Sequence, residues 1–223
     1  MQVLCEFFDI GPGVTALIGG GGKTSTMYAL AEELKEKGSV IVCTSTHILR
    51  PQQYPYLPRI EAVIPFGTVV STGRIDGQKL SSPEQPFSEL IHKADYVLVE
   101  ADGSRQLPLK AHASHEPVIP EEAEKVLVVI GIDGLGKPIK DAAHRPELYA
   151  SAVHTDVNAI VTEAMIRDVV STYPSCDGIV INKADDPERL EQARRLASLF
   201  DVPVAITAWL TNDPIKANRR KEP

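Results

Sequence analysis

Six short runs of consecutive apolar residues are the feature that most limits the folds open to this 223-residue chain. The runs cover residues 14–18, 39–43, 96–100, 126–130, 178–182 and 203–207. Their apolar residues follow one another instead of alternating with polar ones, which is typical of strands buried on both faces of a sheet. Such strands occur mostly in proteins whose helices cover both sides of a parallel sheet.

Amphipathic helical patterns separate several of these runs. One pattern lies before Gly38 and comprises Met27, Leu30, Ala31 and Leu34. A second comprises Leu190, Ala193, Leu196, Ala197 and Phe200. It follows Asp186, which suits an N-cap, and Pro187, which suits the first helical turn. Alternation of strand and helix predicts an α/β fold with a mostly parallel sheet, right-handed crossovers and helices on both sides.

The stretch from Ile48 to Ala94 does not follow this alternation. It contains six prolines and the turn-rich segment STGRIDGQK. Proline and glycine at this density interrupt regular elements. We therefore predict an irregular insertion around residues 48–94, with room for a hairpin, inside a single domain that spans residues 1–223.

Charge and cysteine usage exclude several classes of protein. The chain has 23 Lys and Arg against 30 Asp and Glu, a net charge of −7, so it offers no broad basic surface for nucleic acid or an anionic membrane. Its three cysteines are far apart and form no CxxC pair, which indicates neither a disulfide framework nor a thiolate zinc site. No apolar run approaches the roughly 20 residues of a membrane span. We expect a cytoplasmic protein with no membrane attachment.

A glycine-rich segment follows the first predicted strand and precedes the first helical pattern. Glycines let the backbone turn tightly around a phosphate, the lysine can reach the β and γ phosphates, and the threonine hydroxyl can bind Mg²⁺. The full GxxxxGK[ST] pattern requires glycine at position 17, where this chain has Leu17. The alternative is a glycine-rich turn with a surface lysine. The predicted phosphate-binding residues are Gly19, Gly20, Gly21, Gly22, Lys23, Thr24 and Ser25.

Acidic residues follow the strand at 96–100. Open α/β sheets place their ligands at the carboxyl ends of strands, so Glu100 or Asp102 can hold Mg²⁺ through water or orient an attacking water. The backbone amide of Gly103 can sense a γ-phosphate. Thr46, after the second strand, is a further candidate ligand of Mg²⁺. The alternative is an acidic turn at a strand end, with hydroxyl groups that only complete local hydrogen bonds.

The strand at 178–182 runs into Asn182-Lys183-Ala184-Asp185, which matches the NKxD motif with which GTPases read guanine. A carboxylate at Asp185 can accept from N1–H and the 2-amino group of guanine, whereas adenine lacks both donors. Lys183 would pack along the base, and Asn182 would brace the motif against the phosphate loop. The backbone N–H of Ala208, after the last strand, would reach guanine O6. The alternative is a strand end followed by an N-capped helix.

Several basic residues and histidines crowd the centre of the chain. Two histidines, His112 and His115, lie in a proline-bounded loop, a spacing that lacks the helical geometry of a metal pair. Solvated or substrate-facing histidines are the favoured interpretation. The remaining residues of this group are Lys110 and Glu116 in the same loop, and Arg105, Lys137 and Arg145 as candidate phosphate partners.

With these motifs in order, the chain resembles the YqeC family of selenium-dependent molybdenum hydroxylase accessory proteins. The resemblance rests on IGGGGKTS, CTSTHI, VLVEADGSRQLPLKA, HEPVIP, IGIDGLGKP, HRPEL and VINKAD. That family is similar to P-loop GTPases that serve metal-enzyme maturation, with an ExxG element that Glu100 to Gly103 matches. Their Cys-Pro-His metal motif is absent here, which argues against direct metal delivery.

The resemblance implies a P-loop NTPase-like three-layer sandwich and a nucleotide-dependent factor that acts on a client metalloenzyme or a cofactor-assembly protein. The leading hypothesis is a Mg²⁺-dependent GTPase in which Lys23 and Glu100 or Asp102 carry the chemistry. A second is an ATP-dependent ligase or kinase, because the short loop is also similar to that of the Mur ligases. A third is a scaffold that binds nucleotide without turnover. Many relatives in the wider fold dimerise across the nucleotide, and the sequence leaves a homodimer open.

Overall fold

The chain is represented by a computed structural model that describes residues 3–208 and 215–219. It divides into two compact units that both draw on distant parts of the sequence. Unit 1 contains the residues up to Ile18, Lys23–Gly103 and Pro117–Val126. Unit 2 contains Gly19–Gly22, Ser104–Glu116 and the described residues from Leu127 onward. The prediction of a single domain over 1–223 stays a prediction.

Strands and helices alternate along most of the chain. The strands are β1 (Gly13–Gly19), β2 (Val40–Thr44), β3 (His47–Leu49), β4 (Val69–Ser71), β5 (Arg74–Asp76), β6 (Lys79–Ser81), β7 (Tyr96–Glu100), β8 (Leu109–Lys110), β9 (Ala123–Gly131), β10 (Ala143–His144), β11 (Gly178–Asn182), β12 (Val204–Thr207) and β13 (Ile215–Arg219). The α-helices are α1 (Leu4–Phe7), α2 (Lys23–Leu34), α3 (Phe87–Leu90), α4 (Ile139–Ala142), α5 (Pro146–Ala152), α6 (Glu163–Val170) and α7 (Pro187–Ala197). A 3₁₀ turn covers Ile132–Gly134.

In unit 1, four parallel strands lie in the order β1, β7, β2, β4. The register pairs Leu17 with Glu100 and Thr44 with Glu100, so these strands end together. Helix α2 packs against β2 and β7 and buries the predicted apolar face of its helical pattern. One core cluster joins alternate strand residues to the segment before β7: Val14, Ile41, Cys43, Ile60, Ile64, Val70, Leu90, Ala94, Val97 and Val99.

The insertion predicted at 48–94 is more regular than its prolines suggest. β3, β6 and β5 form a small antiparallel sheet, and β5 and β6 make the expected hairpin. The segment also supplies β4, which pairs in parallel with β2. The description of residues 48–94 as an irregular excursion was therefore wrong for Val69–Ser71, because three residues between glycine-rich and proline-rich turns are too few to show a strand pattern.

In unit 2, β9, β11 and β12 are parallel and adjacent, and β13 pairs with β12 in the antiparallel direction. Gly131 at the end of β9 is in register with Asn182 at the end of β11. Helix α7 begins as predicted, since the Asp186 side chain accepts a hydrogen bond from the Arg189 backbone N–H and Pro187 fills the first turn. The α/β class, mostly parallel strands flanked by helices, is confirmed.

No helix among residues 3–208 and 215–219 is long and apolar enough to cross a bilayer. The cytoplasmic location expected from the sequence stays a prediction.

Candidate functional site

In unit 1, four of the predicted site residues lie where β7 ends and α2 begins. Glu100 is the last residue of β7, and its carboxylate accepts a hydrogen bond of 2.7 Å from the Thr24 hydroxyl. The ammonium of Lys23, the first residue of α2, lies 3.6 Å from the other oxygen of Glu100. Because parallel strands deliver their carboxyl ends to one edge of a sheet, residues 76 positions apart meet here.

Asp102 completes this group, which we call the lysine–acid cluster: Lys23, Thr24, Glu100 and Asp102. The Nζ atom of Lys23 lies 3.0 Å from Oδ1 of Asp102. The Lys23 side chain is 2% exposed and the Asp102 side chain is fully buried. Two carboxylates and one ammonium are thus held together almost without solvent, where charge interactions are much stronger than at a surface.

Burial and charge act in opposite directions on these groups. Burial raises the pKa of Glu100 above its ordinary value, although Lys23 and the Thr24 hydroxyl pull it down. Burial would lower the pKa of Lys23, but the carboxylates of Asp102 and Glu100 outweigh it and the pKa is raised. Lys23 therefore stays an ammonium, and its charge keeps the carboxylates together.

The end of β2 supports the cluster from the next strand. The Thr44 hydroxyl donates to the backbone carbonyl of Glu100 at 2.7 Å and accepts from the backbone N–H of Thr46 at 3.0 Å. Thr46 makes its hydrogen-bond contacts in the described structure with Thr44, not with the carboxylates of Glu100 or Asp102. Its predicted role as a Mg²⁺ ligand stays a prediction, whereas Thr44 fixes the position of Glu100.

The glycines of the predicted phosphate loop belong to unit 2, where backbone surrounds them. A Cβ on Gly21 would lie 2.0 Å from the backbone nitrogen of Gly131, and the φ angle of Gly21 is +72°. A Cβ on Gly19 would lie 2.4 Å from the Val129 carbonyl oxygen. The glycines are therefore required by close packing and by backbone angle.

Asn182, the first residue of the NKAD motif, holds this glycine segment. Its side-chain amide donates to the Gly21 carbonyl at 2.9 Å, and its side-chain oxygen accepts from the Thr207 hydroxyl at 3.1 Å. The Thr207 carbonyl in turn accepts from the Ala184 backbone N–H. Asn182 thus connects the glycine segment to the end of β12, which is the bracing that the sequence predicted for it.

Lys183 and Asp185 extend from the same turn. Lys183 has a left-handed backbone with φ of 67°, and its ammonium lies 3.0 Å from Oδ2 of Asp133. Asp133 follows β9 within the IGIDG motif and had no role predicted from the sequence. Within the described residues, Oδ1 of Asp185 is buried without a hydrogen-bond partner, and Oδ2 is 3.9 Å from Arg189. Ala208, directly after Thr207, is fully buried.

The other predicted residues fall into two groups. Ser25 is exposed on the first turn of α2. In unit 2, Lys110 and Glu116 form a buried ion pair, and Glu116 also pairs with the partly exposed Arg145. Within residues 3–208 and 215–219, no three His, Cys, Asp or Glu side chains are placed to hold a metal ion between them.

Two comparisons with known proteins bear on this chain. The sequence model of the family described as "YqeC protein" matches residues 15–147, more than half of the chain and the part that carries the lysine–acid cluster. A protein of Escherichia coli (strain K12), "Uncharacterized protein YqeC", is 32% identical over 174 residues. The matched region covers 70% of this chain and 64% of that protein, so the chain spans less than two thirds of this relative's length.

Proposed function

The chain belongs to the YqeC family, and from that premise we propose that it is a Mg²⁺-dependent nucleoside-triphosphate-binding protein that prefers GTP and hydrolyses it. The observation that carries the proposal is the lysine–acid cluster. A lysine and a threonine at the start of a helix face two acids at the end of a parallel strand. This set of groups is suited to phosphate chemistry.

Each member of the cluster has a role in this proposal. The ammonium of Lys23 binds the β and γ phosphates, and it can do so because its raised pKa keeps it charged. Glu100 and Asp102 then lose part of their pairing with Lys23 and become available to Mg²⁺ and to water. Gly103 directly follows Asp102 in the sequence, and its backbone amide is the group that would contact the γ-phosphate.

The donor set fits Mg²⁺ bound together with phosphate. The Thr24 hydroxyl and the Glu100 carboxylate lie 2.7 Å apart, and hard oxygen ligands of this kind are those that Mg²⁺ prefers. Mg²⁺ usually takes one or two protein ligands and completes its shell with water and substrate phosphates. When bound, the ion neutralises charge on the transferring phosphoryl group.

Unit 2 supports the preference for guanine. Oδ1 of Asp185 has no hydrogen-bond partner within the described residues, although it is buried. A buried carboxylate oxygen without a donor is costly unless a ligand supplies one, and guanine supplies N1–H and the 2-amino group. We assign the NKAD motif and the lysine–acid cluster to nucleotide binding from their order in the sequence, and the contacts that support each one lie within its own unit.

The proposal extends to biological context through the family resemblance. We infer an accessory factor in the maturation of a selenium-dependent molybdenum hydroxylase or its cofactor, with a client metalloenzyme or cofactor-assembly protein as partner. Nucleotide hydrolysis would be coupled to a step on that client. Nothing in the lysine–acid cluster depends on the identity of the client, so the nucleotide chemistry can be tested alone.

The test is a competition titration. A fluorescent GTP analogue is bound to the protein with and without Mg²⁺, then displaced by GTP, ATP, CTP and XTP, and phosphate release is measured in parallel. We expect Mg²⁺-dependent binding, displacement by GTP at least tenfold better than by ATP, and slow phosphate release. Preference for ATP would reduce the NKAD motif to a helix start and favour the ligase or kinase hypothesis. Tight binding without turnover, even with a client present, would favour a scaffold.

A further inference from the structure

A second cluster of charged residues lies in unit 2 and is not used by the proposed function. Strands β8 and β10 pair in parallel, Lys110 with His144, and so bring the loop after Lys110 next to Arg145. The Glu116 carboxylate lies 3.0 Å from the Lys110 ammonium and 3.0 Å from Nε of Arg145. The Lys110 side chain is fully buried, and the Glu116 side chain is 10% exposed.

Arg145 is held rigidly in this cluster. Its backbone is left-handed, with φ of 63° and ψ of 62°, a conformation that costs a non-glycine residue about 1 kcal/mol. Its Nε is fixed by Glu116, which Lys110 fixes in turn. The Tyr173 hydroxyl, in the turn after α6, donates to the Lys110 carbonyl at 2.7 Å and anchors that residue. A buried ion pair therefore orients one partly exposed guanidinium.

The outer edge of that guanidinium is directed away from Glu116. Nη2 of Arg145 lies 3.4 Å from Nε2 of His115. A guanidinium has only donors, so this contact uses the imidazole nitrogen as the acceptor. Arginine has five N–H groups. In Arg145 the N–H at Nε donates to Glu116 and one N–H at Nη2 donates to His115, and the other three have no acceptor within the described residues.

The charge of the cluster also favours an anion. Glu116 is shared between Arg145 and Lys110, and no other carboxylate in the described chain is ion-paired with Arg145. The partly exposed guanidinium therefore keeps a positive edge that Glu116 does not cover, beside the exposed His115. Planar fork geometry of this kind matches carboxylate and phosphate oxygens.

We propose that Arg145 and His115 form a binding site for the oxyanion group, carboxylate or phosphate, of a small molecule. Glu116 and Lys110 are positioning residues, because they orient Arg145 and do not themselves reach the ligand. This site is independent of the nucleotide proposal, since none of its residues belongs to the lysine–acid cluster or the NKAD motif.

The test uses inorganic phosphate and acetate as probes on the full chain. Nuclear magnetic resonance follows the Arg145 Nε–H signal and the His115 ring signals during each titration. We expect saturable shifts of both residues with at least one probe, and the stronger probe shows whether the site suits phosphate or carboxylate. A site with a Kd in the millimolar range would be occupied at a probe concentration of about 50 mM. No shift with either probe up to that concentration would overturn the proposal.

Three variants separate this site from nonspecific charge and from nucleotide binding. Arg145→Gln should weaken probe binding about tenfold or more, because charged hydrogen bonds are lost. Arg194→Gln removes an equal charge from the exposed face of α7 and should change binding less than about twofold. Lys23→Met should leave the response intact, so a failed nucleotide proposal and a failed anion site are distinguishable.

A folding defect would not hide the answer. If Arg145→Gln is unstable, His115→Ala replaces an exposed side chain and should still reduce the shift of the Arg145 Nε–H signal at a given phosphate concentration. An unchanged response in both Arg145→Gln and His115→Ala would show that the probes bind elsewhere and would overturn the assignment.

Discussion

The ammonium of Lys23 lies 3.0 Å from the carboxylate of Asp102, and both side chains are buried. Each charge therefore compensates part of the cost of burying the other. A nucleotide that binds Lys23 must replace this pairing with its own phosphates. We therefore expect this contact to affect the stability of unit 1 and, if the proposed function holds, the affinity for nucleotide.

Asp102→Asn should destabilise the protein by about 3 kcal/mol, because it leaves the buried Lys23 with Glu100 as its remaining acidic partner in the cluster. Urea denaturation measures the change in the free energy of unfolding. Glu191→Gln is the matched control, since its pair with Arg194 is exposed and should contribute less than about 1 kcal/mol. Equal effects of the two substitutions would contradict the buried pairing.

Asp185→Asn should shift preference from guanine to xanthine nucleotides, because the new amide donates to xanthine O2 where the carboxylate accepted from guanine. The expected loss of GTP affinity is about tenfold to a hundredfold, the value of one or two charged hydrogen bonds. Asp186→Asn is the control: it removes the neighbouring charge but retains an N-cap. Unchanged guanine selectivity in Asp185→Asn would remove this residue from base recognition.

Gly21→Ala should destabilise the chain by more than about 3 kcal/mol, since its Cβ would lie 2.0 Å from the Gly131 nitrogen. Gly136→Ala controls for backbone angle alone: its φ of +76° is close to the +72° of Gly21, but a Cβ there meets nothing within 4 Å. It should cost about 1 kcal/mol. Thermal denaturation measures the loss of stability in each variant. A similar loss in Gly21→Ala and Gly136→Ala would show that close packing at Gly21 is unimportant.

Stability in acid should depend on Glu116. Burial alone would raise the pKa of Glu116, but hydrogen bonds from Arg145 and Lys110 hold it below its ordinary value. As pH falls, the unfolded chain therefore takes up this proton first. The stability that Glu116 contributes is complete above its unfolded pKa of about 4.3 and is lost as pH falls through the lower folded value.

The measurement is the free energy of unfolding of the wild type and of Glu116→Gln between about pH 3 and pH 7, a range that spans the ordinary pKa of glutamate. At neutral pH the variant should be less stable by about 1.5 to 3 kcal/mol, the value of hydrogen bonds between charged groups. The difference should narrow toward the acid end. A constant difference across the range would contradict the lowered pKa.

Local sequence patterns were sufficient for most of the sheet. The apolar runs that end at Glu100 and Asn182 predicted strands whose bounds the structure matches, because strands buried on both faces leave a continuous apolar signature. β4 was missed because its three residues lie between turns. Helix α7 was predicted from Asp186 and Pro187, since capping is a local interaction.

Pairing between distant residues was harder to predict. The sequence suggested Lys23 and Asp102 as site residues, but not that they bond to each other, because the partner of a buried charge depends on packing. The contact between Lys183 and Asp133, 50 residues apart, had no local signal. The same holds for Arg145, a candidate phosphate partner from the sequence, and Lys110, which prove to share the carboxylate of Glu116.

The central claim is that Lys23 binds nucleoside triphosphate, and calorimetric titration of a non-hydrolysable GTP analogue into the purified full chain tests it most directly. We predict saturable binding of one nucleotide per chain that requires Mg²⁺ and is lost in Lys23→Met, while circular dichroism confirms that the variant is folded. If Lys23→Met is unfolded, Thr24→Val should weaken the Mg²⁺-dependent part of binding. No binding to the wild type, or equal binding with Lys23→Met, would contradict the account.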